Sequence, residues 1–331
     1  MKNVLEWLEA TVAKYPDKPA FSDTESSITF RQVYDIARNT GAYLVEQLGV
    51  DRTPVAVFAG RKMVTPAYFL GVVYAGRPYA PIDASLPDKR IEKILENLCP
   101  RAIVADRESR EHVESIVDEL AKAEGFDRPQ IFIAEDISHF EQVACADSNC
   151  KISESSGDAV TDSENDTDGG VVAGCADDSA LEKLATVRRQ MSMTDPLYII
   201  YTSGSTGNPK GVMTSHLSLM TYINAYCDVM HIEESDVLGN QSPLDYIAAI
   251  RDIYLPLKTG CSTAIIPKEY FMEPNALFDY MNDKKVSSVG WSVSAFTILT
   301  SLGAFEEVGL KSLRKICFSG SVMPCRVLRK W

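Results

Sequence analysis

The sequence predicts an α/β protein in which two packed βαβ subdomains contain mostly parallel sheets. Short apolar runs of strand length recur along the 331-residue chain, and the segments between them show the i, i+3, i+4 spacing of amphipathic helices. Hydrophobic residues make up 45% of the chain and charged residues 24%, as in ordinary globular proteins. Strands that alternate with helices form βαβ units, whose parallel sheets are covered on both faces.

Helices and strands are predicted along most of the chain. Residues 4–9 begin an amphipathic helix rather than a signal peptide, because Glu6 and Glu9 lie among its apolar residues. An apolar helix is predicted over 62–75. The apolar face of the next, amphipathic helix consists of Ile91, Ile94, Leu95 and Leu98. Strands are predicted at 55–58, 79–82, 102–105, 131–134, 197–201, 263–266 and 315–318.

An acidic segment at 146–180 interrupts this alternation and separates a first part, 1–145, from a second part, 181–331. Ser, Asp, Gly, Asn and Thr dominate it, and no aromatic residue occurs there, so it is predicted to be a disordered surface insertion. Between Asp147 and Glu182 ten acidic residues and one basic residue contribute −9 to the net charge of −13. The remaining −4 leaves no basic stripe, which argues against a nucleic-acid partner.

Composition also limits where the protein is expected to act. No apolar run reaches the roughly 18 residues that a membrane-spanning helix needs, so no membrane insertion is expected. The eight cysteines include no C-x-x-C pair, a distribution that suits neither a zinc site nor a disulfide framework. A reduced, cytoplasmic setting is therefore predicted.

The segment 201–211, Tyr-Thr-Ser-Gly-Ser-Thr-Gly-Asn-Pro-Lys-Gly, predicts a cradle for a triphosphate at the end of a buried strand. Glycines let the backbone approach a ligand and turn N–H groups toward an anion. Hydroxyl groups add donors to phosphate oxygens, and Lys210 adds a mobile positive charge. The predicted cofactor-binding residues are Thr202, Ser203, Gly204, Ser205, Thr206, Gly207 and Lys210, of which Lys210 is also the candidate catalytic residue.

Three other interpretations of this loop have to be compared with a phosphate cradle. A Gly/Ser/Thr stretch is often a plain surface loop. A Walker A motif would need glycine five residues after Gly204, where the chain has Pro209. A serine-hydrolase elbow would need glycine two residues before Ser205, where the chain has Ser203.

The pattern Thr-Ser-Gly-Ser-Thr-Gly-x-Pro-Lys-Gly resembles, without a gap, the signature loop of the AMP-forming acyl-adenylate synthetases. The resemblance is to D-alanine–carrier-protein ligases and non-ribosomal peptide synthetase adenylation domains in particular. It implies the large N-terminal domain of adenylate-forming enzymes, with ATP and Mg²⁺ as cofactors. It also implies activation of a carboxylic acid as acyl-AMP and transfer of the acyl group to a phosphopantetheinyl carrier protein. Further matching segments are 28–33, 71–83, 252–260 and 319–330.

The resemblance also implies an acyl pocket, and there the sequence departs from the family pattern. In a gapless register the family's amine-anchoring aspartate falls on Ile247, whereas Asp245 lies two residues earlier. On the same register Arg251 takes the pocket-floor position, where it would suit a second anionic group, unless it is a surface residue paired with Asp252 or Asp245. The predicted substrate-binding residues are Asp245, Arg251, Ser319 and Gly320. An amino acid and a non-amino acid both stay open as substrates, as do carrier protein and CoA as acceptors.

The C-terminal part of the sequence lacks counterparts of three family segments. No Tyr-Gly-Pro-Thr-Glu segment, ribose-binding Thr-Gly-Asp or C-terminal lid domain with its lysine follows the 319–330 segment. The chain is therefore expected to be the front part of such an enzyme and inactive alone. The alternative is a non-catalytic remnant that binds nucleotide or serves as an interaction module. His216, where the family often has a histidine, is either part of the site or merely the first residue of a helix.

Overall fold

The computed structural model describes residues 2–58, 60–138, 178–203, 208–305 and 308–331. Their secondary structure alternates between helix and strand for most of the chain, as the sequence predicts. The strands are β1 Pro19–Ser22, β2 Ser27–Thr29, β3 Val55–Phe58, β4 Tyr79–Ile82, β5 Ala102–Ala105, β6 Gln130–Ile133, β7 Pro196–Thr202, β8 Lys210–Ser215, β9 Val237–Asn240, β10 Ser262–Ile265, β11 Ser288–Ser292 and β12 Lys315–Ser319. The α-helices are α1 Leu5–Lys14, α2 Phe30–Leu48, α3 Thr65–Tyr74, α4 Asp88–Leu98, α5 Arg110–Leu120, α6 Ala134–Ser138, α7 Asp178–Gln190, α8 His216–Met230, α9 Ile247–Thr259, α10 Pro274–Asp283, α11 Val293–Ser301 and α12 Cys325–Leu328.

The described strands form two six-stranded sheets. Sheet A has the order β12-β11-β9-β10-β1-β2, and sheet B has the order β6-β5-β3-β4-β7-β8. Neighbouring strands are parallel except for the antiparallel pairs β1–β2 and β7–β8 at one edge of each sheet. The predicted α/β class with mostly parallel sheets is therefore confirmed.

Both sheets take strands from both sides of the predicted insertion. β1 and β2 precede it in sequence, yet β1 pairs within sheet A with β10, which follows it, whereas β7 and β8 follow it and complete sheet B. Residues 139–177 lie outside the described residues, and the last three residues of the predicted insertion belong to the start of α7. The division into 1–145, 146–180 and 181–331 stays a prediction.

Sheet B separates two hydrophobic cores, because successive side chains of a strand point to opposite faces. In β3, Val55 and Val57 contribute to the main core, together with residues of α1, α2, α3 and α9, while Ala56 and Phe58 contribute to the outer core under α4 and α5. The main core also includes Phe21 and Leu238 of sheet A, so it fills the space between the sheets. A third core covers the β11 side of sheet A under α10 and α11. The layers are helix, sheet, helix, sheet, helix.

Polar contacts join the two sheets as well. The hydroxyl groups of Tyr79 on β4 and Tyr254 on α9 lie 3.1 Å apart in the core. The Tyr79 ring stacks on Phe69 of α3, with ring centroids 4.6 Å apart and nearly parallel planes. Since stacked aromatic pairs hold a defined geometry, these contacts fix α9 of sheet A against β4 of sheet B.

Candidate functional site

The Gly/Ser/Thr segment connects the two strands of an antiparallel hairpin at the edge of sheet B. The register pairs Tyr201 with Gly211 and Thr202 with Lys210, so residues 203–209 form the connection. The Thr202 hydroxyl donates to the Lys210 carbonyl at 3.4 Å. Thr202, Ser203 and Lys210 are exposed to solvent, as a contact with a soluble phosphate requires. The other predicted members of the cradle, Gly204, Ser205, Thr206 and Gly207, lie outside the described residues.

The hairpin connection lies at the edge of sheet B where the parallel strands end. β7 runs parallel to β4, so the carboxyl ends of both strands meet there. In open α/β sheets ligands bind at this edge. The loops after β3, β4, β9 and β10, together with the β1–β2 turn, line a cavity of about 550 Å³ there. This cavity therefore lies at the carboxyl ends of strands from both sheets.

Two charged residues, Arg61 and Asp245, line this cavity, and Arg61 connects the sheets. Arg61, in the loop after β3, donates from Nη2 to the carbonyl oxygen of Asn240 at 3.3 Å and to that of Gln241 at 2.6 Å, at the end of β9. Burial lowers its pKa, although nearby carboxylates oppose the change. Asp245, in the loop before α9, lines the cavity together with Asp83. Burial, followed by the charge of Asp83, raises the pKa of Asp245. Asp245 thus faces the cavity between the sheets.

Arg251 is buried in α9 and belongs to a polar network with Asp252 and Asn240. Its Nε donates to Asp252 Oδ1 at 2.7 Å, and its Nη2 donates to Asp252 Oδ2 at 2.9 Å and to the carbonyl oxygen of Gly290 at 2.8 Å. Asn240 Nδ2 donates to the same carboxylate at 3.1 Å. Burial opposes the charge of Arg251, but pairing with Asp252 outweighs it and raises the pKa. The expected ion pair with Asp252 exists, but it is buried and not on the surface.

Space for the Arg251 guanidinium depends on Gly290. A Cβ atom at position 290 would lie 2.2 Å from Nη1 of Arg251, so any side chain there would displace the arginine. Helix α8 also contributes neighbours of Arg251. The guanidinium sits 5.3 Å from the ring centroid of Tyr226, and Tyr222 is also near the arginine. The predicted pocket floor is therefore filled by an arginine whose charge is already paired.

The remaining predicted acyl-pocket residues lie near the end of β12. Ser319 pairs with Ser292 of β11, two residues beyond the Gly290 that contacts Arg251. Gly320 follows with φ of 102°, a conformation that favours glycine. Both residues are exposed. Arg251, Ser319 and Gly320 thus lie toward the carboxyl edge of sheet A, whereas Asp245 faces the cavity between the sheets.

His216 has a structural position. It is the first residue of α8, which begins after Ser215, whose hydroxyl accepts a hydrogen bond from the backbone N–H of Ser218 at 3.2 Å. The imidazole is buried, and its Nδ1 accepts a hydrogen bond from the backbone N–H of Val4 at 3.4 Å. Burial lowers its pKa to about 4. His216 therefore contacts the N-terminal segment as a neutral ring.

Sequence reasoning missed two residues of α4 that contact the hairpin. The Tyr201 hydroxyl donates to Asn97 Oδ1 at 2.9 Å, and Lys93 Nζ donates to Asn208 Oδ1 at 3.3 Å. The only signal in the sequence is that Lys93 and Asn97 are four residues apart, which places them on one face of the helix.

The comparisons with known proteins decide the family. The family model described as AMP-binding enzyme matches residues 8–331. This chain belongs to that family. It is 26% identical over 328 residues to the D-alanine–D-alanyl carrier protein ligase of Bacillus cereus strain B4264, an alignment that covers 99% of this chain and 55% of the relative. This AMP-binding family member thus spans about half the length of the curated relatives it matches.

Solved structures share the fold of this chain. The N-terminal domain of FACL13 from Mycobacterium tuberculosis superposes with a TM-score of 0.71 at 18% identity, covering 99% of this chain and 72% of that one. The four-domain nonribosomal peptide synthetase AB3403, solved with AMP and glycine, gives 0.70 at 19% identity, covering 99% of this chain and 20% of that one. At such identities these structures establish the fold.

Two further findings concern the described ranges alone. None of the helices there combines the length and the apolar character needed to cross a bilayer. No three His, Cys, Asp or Glu side chains in these ranges are grouped as metal ligands. A Mg²⁺ ion that enters with ATP would take most of its ligands from phosphates and water, as Mg²⁺ commonly does.

Proposed function

We propose that this protein takes part in the ATP-dependent activation of a carboxylic acid as an acyl adenylate. In the second half-reaction the acyl group passes to the phosphopantetheine thiol of a carrier protein. The observation that carries the proposal is the family match over 8–331, combined with exposed hydroxyl groups and Lys210 at the open end of the β7–β8 hairpin.

The chemistry assigns the hairpin to the phosphate groups. A carboxylate oxygen of the acid attacks the α-phosphorus of ATP, the bond to the bridging oxygen breaks, and pyrophosphate leaves. The hydroxyl groups of Thr202 and Ser203 and the ammonium group of Lys210 are suited to bind the departing phosphates. Their contribution is greatest while negative charge develops on the leaving group. In the second half-reaction the thiol sulfur attacks the acyl carbon and AMP leaves.

The acyl side of the site favours an acid without an α-amino group. Ile247, at the position of the amine-anchoring aspartate, is 48% exposed and carries no charge. A buried ammonium group needs a carboxylate partner, because an unpaired buried charge is costly. Asp245 lies two residues before that position, in the loop before α9, and Asp252 is paired with Arg251. The names of the curated relatives favour the opposite choice, D-alanine, so the acid itself has to be tested.

The test compares Lys210→Ala with Lys311→Ala, a change of another exposed lysine. ATP binding is measured by calorimetry, and ATP–pyrophosphate exchange is measured with acids that differ only by an amino group, such as propanoate and D-alanine. Because residues 1–331 are expected to be inactive alone, the exchange is measured in a chain completed with the family's C-terminal segments. There we expect Lys210→Ala to lower the exchange rate about 100-fold or more, while ATP affinity falls less than about 10-fold, since the lysine acts mainly in the transition state. Lys311→Ala should match the unaltered chain.

Each other outcome has a defined meaning. Unchanged exchange in Lys210→Ala would remove the hairpin from the mechanism. ATP binding without exchange for any acid would favour a nucleotide-binding remnant over an enzyme. Preference for D-alanine over propanoate would show that an amine anchor exists and that the interpretation of Ile247 is wrong.

A further inference from the structure

We infer that helix α4 positions Thr202 and Lys210, because Asn97 and Lys93 bond to the neighbouring residues Tyr201 and Asn208. Tyr201 precedes the 203–209 connection and bonds to Asn97, while Asn208 belongs to its last residues and bonds to Lys93. The inference rests on the proposed function, since it assigns a purpose to contacts around the residues that would bind phosphate. Lys93 and Asn97 are positioning residues, because they act through the hairpin and not on the substrate.

The spacing of the two α4 residues fits this role. Residues four apart on a helix are neighbours on its surface. Lys93 and Asn97 therefore present one row of polar groups to the hairpin, at 3.3 Å from Asn208 Oδ1 and 2.9 Å from the Tyr201 hydroxyl. One helix face thus contacts Tyr201 and Asn208, so the residues on both sides of the loop are held relative to the same helix.

α4 is itself held firmly on sheet B. Its opposite face is apolar and fully buried in the outer core, which also includes Ile199 of β7. A helix fixed along its whole apolar face moves little relative to the sheet beneath it, because protein cores are close-packed. The residues of that face are Ile91, Ile94, Leu95 and Leu98.

Tyr201 is confined to the orientation that this contact needs. Its ring packs against the outer core and lies over Gly211, where a Cβ atom would come within 3.1 Å of the ring and 2.9 Å of Ile199 Cγ2. Burial raises the pKa of Tyr201 to about 12, so its hydroxyl remains a hydrogen-bond donor at neutral pH. Gly211 therefore leaves the space that the Tyr201 ring occupies when its hydroxyl donates to Asn97.

The consequence is a preorganised position for Lys210. This residue follows Asn208 by two positions and pairs with Thr202, which follows Tyr201 by one. Holding Tyr201 and Asn208 therefore restrains the backbone on both sides of the phosphate-binding side chains. Groups held in place before the substrate arrives stabilise a transition state better than groups that must be ordered during the reaction.

The experiment uses the full chain and a double-mutant cycle. Asn97→Ala and Tyr201→Phe each remove the same hydrogen bond, so each should weaken ATP binding about 3- to 10-fold, and the double variant should be no worse than either single variant. Asn97→Asp keeps the acceptor oxygen and should retain most of the affinity. Glu96→Ala, on the neighbouring exposed position, should behave like the unaltered chain.

Amide exchange supplies a readout that separates positioning from loss of fold. In the ligand-free chain, Asn97→Ala should speed exchange in β8 while exchange in β3 and β5 stays unchanged. Unchanged affinity and unchanged β8 exchange in Asn97→Ala would overturn the inference and leave the proposed function intact. So would equal losses in Asn97→Asp and Asn97→Ala, or additive losses in the double variant. If the unaltered chain bound no ATP, both proposals would fall.

Discussion

The buried imidazole of His216 predicts a pH dependence of stability. Its pKa falls from 6.5 in an ordinary environment to about 4, first because of burial, with Arg188 and Arg52 opposing its charge and Asp195 favouring it. Between these two values the imidazole of His216 is protonated in the unfolded chain and neutral in the folded chain. The stabilisation is complete above pH 6.5 and is lost as the pH falls toward 4, a change of about 3 kcal/mol.

The measurement is urea unfolding at several pH values. We expect His216→Gln to flatten the fall in unfolding free energy between pH 7 and 4 relative to the unaltered chain. His231→Asn is the matched control, because His231 is exposed and has a left-handed backbone that asparagine tolerates. Equal pH profiles for the unaltered chain and His216→Gln would show that the imidazole titrates normally.

At the same scale, residue types predicted some of the candidate site but not its contacts. The hydroxyl groups and lysine of 202–210 are recognisable because their order along the chain carries the pattern. The partners of Tyr201 and Asn208 are 104 and 115 positions away, so no local pattern could point to them. The sequence left Arg251 open between the pocket floor and the surface, because the space that buries it depends on Gly290 of a distant strand.

At the scale of elements, Asp236 joins the beginnings of three strands of sheet A. Its carboxylate accepts hydrogen bonds from Lys315 Nζ at 2.6 Å, from Arg314 Nη2 at 2.7 Å, and from the Ser287 hydroxyl at 2.7 Å. Burial alone would raise its pKa, but these bonds outweigh it and lower the pKa to about 2. Asp236 precedes β9, Ser287 precedes β11, and Lys315 begins β12.

Asp236→Asn should therefore destabilise the chain by about 2–3 kcal/mol, because the buried carboxylate loses its charge-assisted hydrogen bonds, while the half-exposed Arg314 can turn to solvent. The unaltered chain should lose about 2 kcal/mol of stability as the pH falls from about 4 to about 2, because the carboxylate has a lower pKa in the folded chain than in the unfolded chain. Guanidinium unfolding at pH 7 measures the difference, with Glu234→Gln at an exposed neighbouring position as control. A loss below about 1 kcal/mol would show that the three strands do not depend on this carboxylate.

Strands were predictable where they are buried on both faces. β3, β4 and β5 are fully buried runs of four residues and match their predicted bounds. β8 was missed because four of its six residues are exposed, so it lacks the apolar run of a buried strand. β9 was missed because Gly239 and Asn240 make up half of it. Pairing with the neighbouring strands, which no local pattern records, forms these two elements.

At the scale of the whole molecule, the order of strands predicts a single unfolding transition. β1 and β2 come from the first thirty residues, yet β1 pairs with β10, so sheet A cannot be completed without the start of the chain. Sheet B lies between these segments in sequence, and the main core is shared by both sheets. Large proteins often unfold in separate steps when their domains are independent. Here neither sheet is an independent stretch of chain.

Tryptophan fluorescence can test this expectation, because the three tryptophans report on different cores. Trp7 lies in the main core, whereas Trp291 and Trp331 pack together in the third core with ring centroids 6.0 Å apart. In Trp7→Phe the fluorescence follows only the third core, while far-UV circular dichroism follows both sheets. We expect the two signals to change at the same urea concentration, since breaking the shared core removes the support of both sheets. Two separated midpoints would show that the β11–β12 side of sheet A unfolds by itself. The presence in each sheet of strands from both halves of the chain would then not couple the unfolding of the two cores.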